Sequence, residues 1–364
     1  MRASILYAMI LLVSFCLSAS AVENAVVTRT QAEVDKLIQS DGSTKPEWLE
    51  AVKLNFPPTL QLHWEKPQNK EPWTPNKYLS QYVWSVINEN SGRWREGLKL
   101  LYHVYDLNKD DPEKSKQTMK AIARNYQLLQ LDPLRAAYWW RKSEIEKTGD
   151  PSDVVELADC FLKLGNKDFP RTILVAVDKD ESRHGETIKL WTDMGDYDKA
   201  LAVAKVKAEE DTNPDIAFLM AGETCRKMGK PMEAIDYFQK VLALDDKKAG
   251  RDIKQSKSRA RASMEAVKLY DTLDLAKIAD GTYASESTGY SGIVSVAVTV
   301  KSNKIESSKV VKHTEKQYYG SLTETPAKII QKQTVKGIDT FTGATITSEA
   351  IINATAKALA KGVK

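Results

Sequence analysis

The sequence predicts a multidomain protein, in which an all-α array of helical repeats precedes a small α+β domain with an antiparallel sheet. Two observations carry this prediction. Residues 81–265 have helical patterning and repeat with a period of 34 residues. Ile293 to Val300 alternates valine with smaller or polar side chains, as a half-buried strand does. The chain of 364 residues has room for two or three such domains.

Residues 1–21 have the pattern of a secretory signal peptide. Arg2 provides a charged start, the run from Ile5 to Leu17 is almost wholly apolar, and Ala19-Ser20-Ala21 fits a cleavage site. The apolar run is short for a membrane span. Phe15 precedes Cys16 where a lipoprotein signal needs a small residue. We therefore expect cleavage after Ala21 and export to the periplasm or cell envelope.

Composition excludes several classes of function. The chain has 53 basic and 49 acidic residues, and this balance does not favour a nucleic-acid partner. It has neither a haem attachment motif nor an iron–sulfur spacing, and its four histidines are scattered, so we predict no metal site. No nucleophile–base pair or paired acid stands out. We therefore predict no catalytic residue.

Residues 22–80 form an irregular segment rich in proline and tryptophan. Thr30 and Glu33 have capping-box spacing, which predicts a short helix through Ile38. The prolines prevent long helices, whereas the tryptophans argue against disorder. We expect an extended segment whose aromatic rings pack on the next domain. An aromatic ligand cleft is the alternative.

Residues 81–265 resemble tetratricopeptide repeats. Gly195 and Gly229 are 34 residues apart, and a small residue follows each after five positions. Leu131 and Gly165 share the same spacing, and Gly92 opens a similar segment. A turn glycine followed by a small packing residue is typical of stacked helix pairs, and four or five units fit. A generic helical bundle is the alternative. A basic run at residues 247–262 predicts a solvated capping helix, although acidic lipid or nucleic acid is another interpretation. Residues 266–278 are then a linker helix.

Residues 279–364 form the predicted α+β domain. The strand from Ile293 to Val300 and a return strand from Ile305 to Lys312 flank a four-residue turn. Two helices follow, at about residues 325–334 and 348–360. Between them lies Asp339-Thr340-Phe341-Thr342-Gly343-Ala344-Thr345. Gly343 permits close backbone approach, and the helix start favours a phosphate beside Thr345. A plain N-cap with a turn glycine is the alternative.

The order of these landmarks carries a resemblance. Gly289-Tyr290-Ser291-Gly292, His313-Thr314-Glu315 and the Asp339–Thr345 motif resemble the FMN-binding domain family found in the sodium-pumping NADH:quinone oxidoreductase. The resemblance implies that a flavin transferase esterifies Thr345 to the phosphate of FMN, with Asp339 helping to present it. Gly343 and Ala344 would clear room for the cofactor. Hydrogen bonds to the phosphate are expected from Thr342, Thr347 and Ser348. Weaker candidates for flavin contact are Tyr290, Gly292 and His313.

Together with the signal-peptide pattern, the resemblance therefore predicts an exported electron-transfer flavoprotein with covalent FMN, and it favours a redox carrier over an enzyme with its own substrate. Its expected partners are the flavin transferase, redox proteins of the envelope and a protein bound by the repeats. The alternative is an envelope scaffold whose last domain is unmodified. Cys160 and Cys225 fall two repeat units apart, beyond the reach of a disulfide, so we expect two free thiols.

Overall fold

The structure, a computed structural model, describes residues 27–64, 71–148, 151–178, 184–210, 214–246, 253–316 and 319–364. The predicted signal peptide lies outside these ranges. The described helices are α1 (Gln31–Ser40), α2 (Leu79–Tyr82), α3 (Trp94–Asn108), α4 (Pro112–Arg124), α5 (Pro133–Lys142), α6 (Ile145–Thr148), α7 (Pro151–Lys163), α8 (Asp168–Val177), α9 (His184–Met194), α10 (Tyr197–Glu210), α11 (Pro214–Lys227), α12 (Pro231–Ala243), α13 (Lys254–Leu269), α14 (Ser321–Lys332) and α15 (Thr345–Ala360). The strands are β1 (Gly281–Thr288), β2 (Ile293–Lys301) and β3 (Lys304–Lys312). None of the helices in the described ranges is long and apolar enough to cross a membrane.

The N-terminal segment packs on the first repeats, as its tryptophans predict. Helix α1 begins with the expected capping box: Glu33 N donates to Thr30 Oγ1 at 3.3 Å, and Thr30 N donates to the Glu33 carboxylate at 2.8 Å. Trp48 and Trp64 pack against the core of the first helices. Trp73 departs from the prediction, because 61% of it is exposed.

Helix pairs of the array share one kind of turn. Gly165, Gly195 and Gly229 have φ of +92°, +83° and +73°, a region that glycine adopts without strain. After each glycine, the next amide bonds the carbonyl five residues earlier, at 2.9–3.0 Å. This is the Schellman ending of a helix, and it sends the chain into the next helix. At the corresponding place after α4, Leu131 takes a left-handed φ of +56°.

The helices from α4 to α12 pack as successive hairpins, each in contact with the next. Small residues permit the close approach. A Cβ placed on Gly222 of α11 would lie 2.4 Å from the ring of Phe238 on α12. The all-α part of the predicted fold class is thereby confirmed. The assignment of these hairpins to the tetratricopeptide family stays a prediction.

The C-terminal domain is α+β, as predicted. Its strands form an antiparallel sheet in the order β1-β2-β3, with Gly281 opposite Val300 and Val296 opposite Val310. The inward valines of β2 are all at most 1% exposed, because α15 covers that face. Helix α15 begins at Thr345, three residues before the predicted start. Helix α14 begins at Ser321 and continues through Pro326.

Helix α13 joins the array to the C-terminal domain, and it is less exposed than the predicted solvated basic helix. It is a single helix across the boundary expected at residue 265, and it packs against both α12 and α15. The prediction of a solvated basic helix is wrong at Arg259. This side chain is buried and donates to both carboxylate oxygens of Glu349 at 2.9–3.2 Å. One apolar core therefore runs from α11 and α12 through α13 to the sheet.

Candidate functional site

The Asp339–Thr345 motif forms the loop that enters α15. Gly343 has φ of +80°, and a Cβ there would lie 3.1 Å from Leu128 and 3.3 Å from Tyr319. A side chain at this position would meet both strain and crowding. The predicted close approach at Gly343 is therefore present, and its observed neighbours are side chains of the array and of residue 319.

Thr345 is the first residue of α15, and its side chain is half-buried. The preceding residue, Ala344, has no polar side chain with which to cap the helix. Amides in the first turn of a helix lack intrahelical acceptors, and they carry the positive end of the helix dipole. A hydroxyl thus stands beside a helix end suited to an anion.

Two other predicted contacts hold the loop itself. Ser348 is fully buried, accepts from Phe341 N at 2.9 Å and donates to Ala344 O at 3.1 Å. Thr347 is also buried and donates to the Glu315 carboxylate. These hydroxyls brace the helix start in this conformation.

Glu315, the last residue of the His313-Thr314-Glu315 landmark, contacts the turn at Tyr290 and the helix start that follows the motif, although no role of its own was predicted for it from the sequence. This buried carboxylate accepts from Tyr290 N at 3.2 Å and from Ser291 N at 2.9 Å, as well as from Thr347. The Tyr290–Gly292 turn therefore lies beside α15, whereas Tyr290 as a whole residue is 58% exposed. His313 lies two residues before Glu315 and is half-buried.

The array supplies polar contacts to the motif. Thr342 Oγ1 donates to Asp159 Oδ1 of α7 at 3.3 Å. Asp159 is buried and also accepts from Gln127 at 2.9 Å and from Lys163 at 2.5 Å. The first motif residue, Asp339, forms an ion pair with Lys227 of α11. These partners lie more than a hundred residues before the motif, where no local pattern could reveal them.

Lysines surround Asp339. Burial alone would raise the pKa of Asp339, but Lys227, Lys189 and Lys328 outweigh it and hold that pKa below its ordinary value. Burial lowers the pKa of Lys328, and the positive charges of Lys189 and Lys163 add to the decrease. Lys189 and Lys227 are themselves paired with Asp193 and Asp339, so this cluster contains charges of both signs.

Two spaces adjoin the motif. The first, beside Thr345, is lined by Lys189 and Lys227 together with the carboxylates of Asp193, Glu223 and Asp339. It measures about 20 Å³, room for about one water. The second is a cleft of about 570 Å³ between the array and the motif loop, within the usual size range of ligand sites. The two spaces share Asp193, Asp339 and Thr340.

These features fit a flavin nucleotide. The helix start suits a phosphate, and the cleft is large enough for a ring system. The space beside Thr345 has room for about one water, so its lining side chains must move to admit a phosphate. In the part of the chain that the structure describes, no group of three or more histidine, cysteine, aspartate and glutamate side chains is placed to hold a metal ion.

The comparisons with known proteins agree with the C-terminal landmarks. No curated protein matched the chain. Residues 289–360 match the family model described as the FMN-binding domain. They contain the Tyr290–Gly292 turn, Glu315 and the whole motif, and this part of the chain is therefore an FMN-binding domain.

Proposed function

We propose that the protein is an exported electron-transfer flavoprotein that carries FMN on Thr345 through a phosphoester. The observation that carries the proposal is the place of the Thr345 hydroxyl. It lies at the uncapped start of α15, beside Lys189 and Lys227, within an FMN-binding domain. Export rests on the signal-peptide pattern of residues 1–21.

Covalent attachment suits an exported carrier, because a dissociable cofactor would be lost by dilution outside the cytoplasm. The flavin supplies one- and two-electron chemistry, and the protein supplies position and tuning. Thr345 is thus a modification site, and the chain needs no catalytic residue of its own.

The attachment step needs a transferase and an activated flavin nucleotide. The bond formed joins Thr345 Oγ1 to phosphorus, and the bond broken is a phosphoanhydride of the donor. The displaced nucleotide leaves with that electron pair, and a base of the transferase takes the hydroxyl proton. Asp339 lies within the same small space as Thr345, and we assign it the role of presenting this residue to the transferase.

After attachment, this chain's own groups stabilise the phosphate. The first-turn amides of α15 provide partial positive charge at this helix start. Lys189 and Lys227, which are paired with Asp193 and Asp339, line the same space as Thr345. The array then has two roles: it contacts the motif loop, and its outer surface binds an envelope protein. Redox proteins of the envelope deliver and accept the electrons.

The test is to express the mature chain with and without a flavin transferase and to measure flavin that survives denaturation. Wild type should show a fluorescent band on a denaturing gel and a mass gain of one FMN less one water. Thr345→Ala should lose both signals. Thr345→Ser keeps a hydroxyl and should retain part of the loading. Thr282→Ala, on the exposed face of β1, is the matched control and should load fully.

Two results would contradict the proposal. Wild type without the mass gain in the presence of an active transferase would favour the scaffold alternative. A fluorescent band that persists in Thr345→Ala would place the attachment on another residue.

A further inference from the structure

The larger cleft lies between the helical array and the C-terminal domain, which the sequence predicts to be separate domains. One wall of the cleft is the motif loop, at Phe341 and Thr342. The opposite wall comes from the array, at the end of α4 and along α7. Thr342 bridges the two sides through its hydrogen bond to Asp159.

The wall has the mixed chemistry of a flavin-ring site. Leu131 and Leu162 give it apolar surface, as Phe341 does from the opposite side. Gln127 and Lys163 add polar groups, and the ammonium of Lys163 lies 5.9 Å from the centre of the Phe341 ring. The cleft is also lined by charged side chains of both signs, among them Lys328, Asp193 and Asp339, which would face the polar edge of a flavin ring.

The local backbone is built to form this wall. Helix α4 continues as a π-helical turn over Asn125–Gln130 and ends at Leu131 in a left-handed conformation. Such π turns are rare, and they often occur at functional sites. Here the turn carries Gln127, and the residue that ends it is Leu131, so both cleft residues depend on this irregularity.

The space at Thr345 cannot hold a flavin ring, since it has room for about one water. The neighbouring cleft can, and Asp339 and Thr340 line both spaces. A ribityl arm attached at Thr345 would therefore pass Asp339 and Thr340 to reach the cleft.

We propose that the helical array forms one wall of the flavin-ring site, with Lys163 of α7 as the residue that tunes the ring. This inference rests on the proposed attachment of FMN at Thr345. It extends the role of the array from partner docking to cofactor binding.

Lys163 is held in place and charged. Burial alone would lower its pKa, but Asp159 outweighs this and raises the pKa above its ordinary value. A fixed positive charge near the ring stabilises the reduced, anionic flavin more than the oxidised, neutral flavin. Removing the charge would also leave the buried Asp159 carboxylate facing the cleft without its cationic partner.

The test uses the mature full chain with flavin attached. The first measurement is quenching of flavin fluorescence by iodide in wild type, compared with the flavin peptide released by proteolysis. We expect several-fold weaker quenching in the folded chain. The second is the midpoint potential, which should fall in Lys163→Met and return close to wild type in Lys163→Arg. Lys205→Met, on the exposed surface of α10, is the control and should leave the potential unchanged.

The outcomes separate the two proposals. If wild type carries no covalent flavin, the proposed function fails before this test begins. If covalent flavin is present but iodide quenches it as strongly as the free peptide, the ring lies in solvent and the cleft assignment is overturned. An equal potential in wild type and Lys163→Met would remove the tuning role of Lys163.

Discussion

At the scale of single residues, substitutions at two glycines of the motif region distinguish the stability cost of backbone strain from that of crowding. Gly337 and Gly343 both have positive φ, +64° and +80°. A Cβ at Gly337 would meet nothing within 4 Å, whereas one at Gly343 would crowd Leu128 and Tyr319. We expect Gly337→Ala to cost about 1 kcal/mol of stability, from conformation alone. Gly343→Ala should cost about 2–3 kcal/mol, because crowding adds to the same strain.

Urea denaturation of both variants measures this difference. Equal losses of stability would mean that the neighbours of Gly343 move aside freely, and that the close contact of the loop with the array is weak.

Asp339 gives a second prediction at this scale, in which modification and stability respond differently. Its carboxylate is 38% exposed, so the ion pair with Lys227 is partly screened. We expect Asp339→Asn to lower stability by less than about 1 kcal/mol. Flavin loading under limiting transferase should fall several-fold, because the presenting carboxylate is absent.

The same residue has a predictable pH dependence. The pKa of Asp339 lies below its ordinary value of 3.8, so its stabilising contribution is present at neutral pH. The contribution is lost as the pH falls through the lowered pKa, and the stability difference from Asp339→Asn should vanish there.

Equal flavin loading of wild type and Asp339→Asn would contradict the presenting role.

At the scale of elements, α13 and α15 offer two ion pairs with very different surroundings. Arg259 and Glu349 are 7% and 4% exposed. Lys357 and Glu265 join the same two helices, but are 24% and 63% exposed. Breaking a buried pair strands a charge and typically costs 3–5 kcal/mol, whereas an exposed pair contributes at most about 1 kcal/mol.

We therefore expect Arg259→Met to lose about 3–5 kcal/mol and Lys357→Met less than about 1 kcal/mol. The double variant Arg259→Met with Glu349→Met should recover most of the loss, since neither charge is then left alone. Denaturant titration of the three variants and wild type completes the comparison. A double variant as unstable as the single one would show that shape, and not the stranded charge, sets the cost.

Sequence patterns predicted these elements well where the signal was local. Alternating valines identified β2, and Gly195 and Gly229 identified the turns of two helix pairs. The start of α15 was predicted three residues late, because threonine and serine can begin a helix at several neighbouring positions. The burial of Arg259 was missed because its partner Glu349 is 90 residues away.

In the candidate site, too, local sequence patterns identified some residues, whereas residues brought in by long-range packing were missed. The motif, Thr345 and the turn at Tyr290 could be identified from short patterns in the sequence. Asp159, Lys163 and Lys227 could not be assigned to the site, since only the packing of the folded chain brings them there. Glu315 lies in the His313-Thr314-Glu315 landmark, but its contacts with Thr347 and with the turn at Tyr290 are visible only in the structure. Periodicity indicates which helix face is buried, but it does not identify the element that covers that face.

At the scale of the whole molecule, the two cysteines belong to different cores. Cys160 of α7 lies in the core formed by the first helices. Cys225 of α11 lies in the core that α12 and α13 share with the sheet. Both are free and buried, which confirms the prediction of two thiols without a disulfide. Burial is the largest cause that raises the pKa of Cys225, to about 11, and it also raises that of Cys160.

Because the two cysteines lie in different cores, the labelling rate of each thiol reports how often its own core opens. Native protein at pH 8 should react slowly with a thiol reagent, because both groups are buried and protonated. Arg259→Met weakens the packing of α13 on α15 and should speed labelling of Cys225 about tenfold or more, since 1.4 kcal/mol is a factor of ten in population. Cys160 should keep its wild-type rate and is the internal control. Mass spectrometry of the labelled peptides gives the labelling rate of each cysteine. Equal acceleration of both cysteines would show that the array and the C-terminal domain open as one unit. Fewer than two reactive thiols in denatured, unreduced mature chain would mean that the cysteines are oxidised and that the stacking of the hairpins differs from the one described.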